Sequence, residues 1–208
     1  MTLGRGSNAL SRRAAVLLAV VLLGGALTGC APTDKLATAY GNGAGSPNYT
    51  DNSGLPVLVK PADRNTAINF DATTEDGVAI SAKDYRGTVS VINFWYAGCA
   101  PCRAEAPTLE KLYQSHRADS VAFLGVNVAD QPETALSFKK TYGISYPSII
   151  DVDSGTARIA FNGQVAASAV PVTFVLDRKG RIAARIVGQL QSASILNTLI
   201  RDTTAEAN

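Results

Sequence analysis

The chain has few of the residues that hold metals. Its 208 residues include three cysteines, one histidine, one methionine and one tryptophan. A zinc site takes four ligands, or three and a water, and one of the cysteines, Cys30, is claimed below for another use. No metal set is expected from what remains. Long apolar runs are lacking too. The uncharged stretch from Ala14 to Leu27 is 14 residues long, short of the roughly 20 that a membrane-spanning helix requires. Excess basic charge is the third absence. Nineteen basic and 17 acidic residues leave a net of +2, but Arg5, Arg12 and Arg13 all precede Ala14. Without residues 1–29 the balance is 16 basic against 17 acidic, a net of −1. A folded part with that charge gives no support for nucleic-acid binding, which needs a basic patch.

What stands at the N-terminus is a leader. Three arginines, a short apolar run and small residues up to Leu27-Thr28-Gly29-Cys30 have the layout of an export signal. The last tetrapeptide resembles the bacterial lipobox, whose cysteine is diacylated and becomes the first mature residue; the alternative is an ordinary secretory peptide with a chance cysteine. Ser11-Arg12-Arg13 faintly resembles a twin-arginine signal, and a general secretory signal carries arginines there as well. From Ala31 to about Pro61 the composition turns to Gly, Ser, Asn, Thr and Pro, without helical or strand period, as in a flexible tether. The expected layout is therefore a lipoprotein signal peptide over 1–29, a tether over 30–61 and one folded domain over 62–208.

Within that domain the pattern alternates between strand and helix. Asn69–Ala72 and Val78–Ile80, with Asp76-Gly77 between them, predict a hairpin. Val89–Trp95 and Val121–Val128 are near-continuous apolar runs, as expected of strands covered on both faces. A helix is expected after Cys102, with Leu109, Leu112 and Tyr113 as its core stripe and a kink at Pro107. A second helix opens at Pro132 and ends at Gly143. Ser148–Asp151 is a short strand candidate, and residues 154–165 read as a helix and a turn. Val172–Leu176 and Arg181–Val187 around Asp177-Arg178-Lys179-Gly180 form an antiparallel hairpin, and Ser192 caps a last helix before a frayed tail, Thr203–Asn208. Crossover helices imply parallel strands and hairpins antiparallel ones, so the fold class is α/β: a mixed central sheet flanked by helices, with an N-terminal β-hairpin extension.

The most informative residues are Cys99-Ala100-Pro101-Cys102, where the first central strand hands over to a helix. Residues i and i+3 of a first helical turn share a face, so the two sulfurs can close a small loop. The unpaired N–H groups and partial positive charge of the helix N-terminus favour thiolate at Cys99. Lowering its pKa from roughly 8.5 to about 7 corresponds to about 2 kcal/mol. Pro101 fits the first turn, where its missing N–H is not needed. A purely structural disulfide over so short a loop would constrain the unfolded chain little, and Arg103 after Cys102 excludes a haem-attachment CxxCH. A redox-active dithiol is the reading that remains.

At this point the chain resembles the thioredoxin-like superfamily, and within it the membrane-tethered bacterial thiol-disulfide reductases of the TlpA/ResA type. Asn93-Phe94-Trp95, the CxxC, Arg103-Ala104-Glu105-Ala106-Pro107 and Val170-Pro171-Val172-Thr173-Phe174-Val175-Leu176-Asp177-Arg178-Lys179-Gly180 carry the resemblance, over roughly residues 65–201. It implies that Cys99 is the attacking thiolate and Cys102 the resolving thiol. Glu105 corresponds to the acidic residue this branch places beside the dithiol to handle protons; the alternative is a solvated carboxylate on the helix face. Asn93 stands where cytoplasmic thioredoxins bury an aspartate, so the base must come from elsewhere. Pro171 corresponds to the family's cis-proline, with the Val170 backbone pairing an extended substrate. Gly98 departs from the pattern, because the family usually has a tryptophan there. Trp95 is read as a core residue and His116 as a surface one.

The resemblance implies an extracytoplasmic, lipid-anchored reductase of protein disulfides that uses no cofactor. An apocytochrome c is the implied substrate class and a CcdA/DsbD-type membrane protein the implied electron donor. An oxidase donating disulfides to secreted proteins would use the same residues. A copper-chaperone-type binding protein of this fold would separate its cysteines by three residues and add a distal histidine, and this chain has neither. A cysteine peptidase would need a histidine partner, which His116 is badly placed to be. The Pro-x-x-x-Thr-x-x-Cys context of a peroxidase is missing between Asn93 and Cys99.

Overall fold

The structure is a computed structural model, and it describes residues 54–164, 166 and 169–206. The leader, Cys30 and most of the expected tether lie outside the described residues. The central element is β4 (Ser90–Trp95), all six residues of which are buried, because it lies inside the sheet with side chains packed on both faces. It pairs in parallel with β5 (Ala122–Asn127), which pairs in parallel with β6 (Ser148–Ile150). On its other side β4 pairs antiparallel with β7 (Val172–Leu176), and β7 with β8 (Ile182–Val187). The parallel half is built from crossovers through α1 (Ala100–His116) and α2 (Pro132–Tyr142), the antiparallel half from a hairpin. The expected N-terminal hairpin is β2 (Asp71–Thr73) with β3 (Ala79–Ser81), a separate two-stranded sheet.

The sheet has one more strand than the sequence pattern predicts. Pro56–Leu58, placed above in the tether, forms β1 and pairs antiparallel with β8. Gly54 and Val59 extend the contact, their N–H groups donating to Val187 O at 3.0 Å and Ala183 O at 2.8 Å. The cause is the free edge of β8, which offers a row of unpaired backbone groups; a proline is tolerated in such an edge strand. The full order is β1-β8-β7-β4-β5-β6.

Alternation along the strands sends side chains into two cores. Val91 and Trp95 of β4 join Leu109 and Leu112 of α1, Phe138 of α2 and Leu196, Leu199 and Ile200 of α4 (Ala193–Ala205) on one face. Ile92 and Phe94 join Leu124, Phe174 and, next to α3 (Thr156–Ala160), Phe161 on the other. Helix α1 runs as one element through Pro107. The chain end is also better held than its polar composition suggests. Thr203, expected in a frayed tail, is buried in α4 with its hydroxyl donating to Leu199 O. The Glu206 carboxylate accepts from both terminal nitrogens of Arg64.

Trp95 is buried, packs on Phe138 with ring centroids 4.4 Å apart, and donates its indole N–H to Ser148 Oγ at 3.2 Å. That bond passes over Gly125 of the intervening strand. A Cβ at Gly125 would overlap Ser148 Oγ and stand 2.7 Å from Trp95 Nε1. Gly125→Ala is therefore expected to cost about 1–3 kcal/mol, the penalty of overpacking a closed core. Urea denaturation measures it; a midpoint equal to wild type would show that the indole can move aside.

Candidate active site

Three elements converge at the C-terminal end of β4. The first is the segment Tyr96–Gly98 leading into α1. Cys99 is the N-cap of that helix, and Cys102 lies on its first turn behind Pro101. The two are joined as a disulfide, S–S 2.03 Å and Cα–Cα 5.2 Å. The Cys102 N–H points at Cys99 Sγ, 3.2 Å away, as expected for an orphan donor of a first helical turn. The second element is the loop before β7, where the Val170–Pro171 peptide is cis. Val170 is half-buried and packs against the dithiol's core cluster. Its backbone stands outside the ladder, whose first pair with β8 is Val172 with Val187.

The third element is a buried polar group below the dithiol. Glu105, three residues after Cys102 and so on the same face of α1, is 2% exposed; the solvated-carboxylate alternative does not hold. Its Oε1 accepts from Asn93 Nδ2 of β4 at 2.9 Å, and its Oε2 from the Leu190 N–H at 2.8 Å. Asn93 Nδ2 also donates to Thr173 Oγ1 of β7 at 3.1 Å. Burial pushes the Glu105 pKa up to about 7, against two hydrogen bonds that favour the ionised form. A carboxylic acid that changes state near neutrality therefore sits on the dithiol's own helix. Burial, and the charges of Glu105 and Glu110, raise the pKa of Tyr146. Tyr146 lines a small cavity with Cys102, Asn93 and Trp95.

Several placements differ from expectation. An attacking sulfur is expected to be open to solvent, but in the disulfide form Cys99 is only 4% exposed, inside the cluster on which Tyr96, Ala97 and Val170 pack. Gly98 itself is exposed. The rim beside it is not bare, because a methyl group on Gly98 would stand 3.2 Å from the Tyr96 ring. His116, expected on the surface, is 5% exposed and engaged at both nitrogens, with Asp119 Oδ2 at 3.0 Å and Asn197 Oδ1 at 2.7 Å. Fourteen residues of helix set it about 21 Å beyond Cys102 along the axis, out of reach of the sulfurs. Sequence reasoning also missed two partners in the Glu105 network. Thr173 had a signal, a hydroxyl on an apolar strand one full pleat from Pro171. Leu190 contributes a main-chain N–H that no side chain announces.

Comparison with known proteins agrees with this geometry. Residues 64–185 match the AhpC/TSA family. The thiol-disulfide oxidoreductase ResA of a Bacillus cereus strain is 32% identical over 124 residues, 59% of this chain and 68% of that protein. Among solved structures, a DsbF homologue from Corynebacterium diphtheriae has a TM-score of 0.65 and 31% identity, covering 74% of this chain and 98% of that one. A secreted thiol-disulfide isomerase from Corynebacterium glutamicum also has a TM-score of 0.65, at 26% identity over 76% of this chain and 98% of its own. The matched span contains the joined cysteines, the buried glutamate and the cis-proline loop, and the chain belongs to the AhpC/TSA family as a thioredoxin-like thiol-disulfide oxidoreductase of the ResA type.

Proposed function

We propose that this enzyme works outside the cytoplasm as a reductase of protein disulfides, with Glu105 as its proton acceptor. The buried Glu105 carboxyl, with a pKa near 7 and one helical turn from Cys102, is the observation that carries the reading. In the reduced enzyme the Cys99 thiolate attacks one sulfur of a substrate disulfide. That S–S bond breaks, a mixed disulfide with Cys99 forms, and the other substrate sulfur leaves as a thiolate that takes a proton from solvent. Cys102 then gives its proton to ionised Glu105 and attacks Cys99 Sγ. The second substrate sulfur is expelled as a thiolate and is protonated in turn, and the enzyme is left with the Cys99–Cys102 disulfide. The substrate has gained two electrons and two protons. The Val170 backbone, beside cis-Pro171, offers an edge on which an extended substrate segment can pair as an added strand.

The oxidised product must be recharged, and a CcdA/DsbD-type membrane protein is the donor this reading calls for. Its substrate class is a protein with a closed CxxC, such as an apocytochrome c awaiting haem. Cys30 carries the lipid that holds the domain at the outer face of the cell membrane, with the following residues as tether. Support for the compartment comes from the leader pattern and from a secreted structural relative.

Trapping thiols in living cells tests direction, and labelling with fatty acid tests anchoring. The Cys99–Cys102 pair is expected to be mostly reduced, and labelled fatty acid to enter wild type but not Cys30→Ala. A glutathione titration should place the potential nearer about −270 mV than about −120 mV, because Pro101 removes one of the N–H donors that would otherwise stabilise the thiolate. A mostly oxidised pair with a potential above about −150 mV would make the protein an oxidase. Equal labelling of both proteins would end the anchor assignment.

A further inference from the structure

Ala97 lies two residues before Cys99, and both of its main-chain polar groups are held by charged side chains from other elements. Its N–H donates to Asp130 Oδ2 at 2.6 Å, from the loop after β5. Its carbonyl accepts from Arg103 Nη1 at 3.0 Å, from α1. The aspartate is itself fixed. Asn127, the fully buried last residue of β5, donates its Nδ2 to the same Asp130 Oδ2 at 2.8 Å. Asn127 Oδ1 accepts from the N–H groups of Ala129 and Asp130, at 3.1 and 2.8 Å. The N–H bond to Asp130 is charge-assisted and short, the stronger kind.

Tyr96 and Ala97 pack on the core cluster, but few main-chain bonds hold the segment so gripped. Gly98 between Ala97 and Cys99 has no side chain and is exposed, and glycine leaves the backbone free to move. The main-chain bond across this turn runs from Cys99 N–H to Tyr96 O at 3.2 Å. Yet the position of Cys99 decides whether its sulfur stays against the Cys102 N–H, 3.2 Å away.

We infer that Asp130 and Arg103 are positioning residues: they clamp the Ala97 peptide and so keep the Cys99 sulfur over the helix N-terminus that stabilises its thiolate. This rests on Cys99 being the attacking thiol. The charged groups facing the clamp are Arg103 from α1 and Asp130 from the β5–α2 loop, with Glu133 of α2 in the same shallow groove as Ala97 and Arg103. None of them touches the substrate in this role; they act through the loop.

The test is the pH profile of iodoacetamide alkylation on the reduced, full-length protein, with the labelled cysteine identified by mass spectrometry. Asp130→Ala should move the Cys99 profile to higher pH and lower its rate at pH 7 about threefold to tenfold, the scale of one ordinary intramolecular hydrogen bond. Asp130→Asn should restore the wild-type profile, because its amide oxygen can still accept from both Ala97 and Asn127. Superimposable profiles for Asp130→Ala and wild type would overturn the inference, as would an Asp130→Asn profile as displaced as that of Asp130→Ala. Should Asp130→Ala not fold, Arg103→Met releases the other half of the clamp at a half-buried position and must give the same upward shift; an unshifted profile there overturns it too. Label on Cys102 of the wild type would sink the Cys99 assignment itself, a separate outcome from failure of the clamp.

Discussion

Cys102→Ser is expected to accumulate mixed disulfides with substrate proteins, whereas Cys99→Ser traps none, and each variant loses about three orders of magnitude or more of disulfide-reducing activity. The two sulfurs are not equivalent. Cys99 caps α1 and has the Cys102 N–H aimed at its sulfur, so its thiolate is the one the helix end stabilises. Cys102 is buried like Cys99, but on the helix face that also carries Glu105 and Ala106. With serine at 102 the first exchange proceeds and the second cannot, so the intermediate persists. With serine at 99 there is no attacking sulfur at the helix end. Non-reducing gels and mass spectrometry of the trapped species read the difference. Adducts on Cys102 in the Cys99→Ser protein, with none in Cys102→Ser, would reverse the two roles.

The cysteine pair was legible because its signal is local. A CxxC between an apolar run and a helical pattern needs no long-range knowledge, and neither do the turn residues that separate β7 from β8. The mixed character of the inner sheet followed from the same alternation. Non-local pairing is what escaped. β1 is only Pro56–Leu58, embedded in linker-like composition, and it is a strand because β8, more than a hundred residues on, leaves an edge to fill. The carboxylate's second donor, the Leu190 N–H, is also remote, 85 residues on in sequence. His116 is a different kind of miss. It lies four residues after Leu112 and seven after Leu109, on the buried stripe of α1, so helical period places it inside. Residue type suggested the surface instead, and period prevailed because Asn197 on α4 and Asp119 satisfy both ring nitrogens. Thr203 follows the same rule: four after Leu199 and three after Ile200, it extends the apolar stripe of α4, and its hydroxyl is satisfied within the helix.

Glu105→Gln is expected to remove two pH dependences at once. In the oxidised, folded protein burial holds the carboxyl near pKa 7, against its ordinary 4.5. Between those values the folded chain keeps a proton that the unfolded chain has already released. Stability therefore falls as pH rises from about 4.5 to about 7 and levels off above it, once both states are ionised. At 1.36 kcal/mol per pH unit the total is roughly 3 kcal/mol. The glutamine variant should lose that slope in urea denaturation of the oxidised protein. Its absolute stability carries a separate, pH-independent cost of about 1–3 kcal/mol, because Asn93 Nδ2 and the Leu190 N–H each donate to a different carboxylate oxygen and an amide has only one. The second dependence is kinetic. In the proposed mechanism ionised Glu105 accepts the Cys102 proton, so wild-type turnover should rise with pH through about 7. Glu105→Gln should keep only the part of that rise that Cys99 ionisation supplies, which the alkylation profile of Cys99 reads separately, and be about a hundredfold slower at pH 8, the lower end of what a positioned general base contributes. If the variant kept both the stability slope and the wild-type rate at pH 8, another group would be titrating, and Glu105 would be a structural tie between α1 and the strands beneath it.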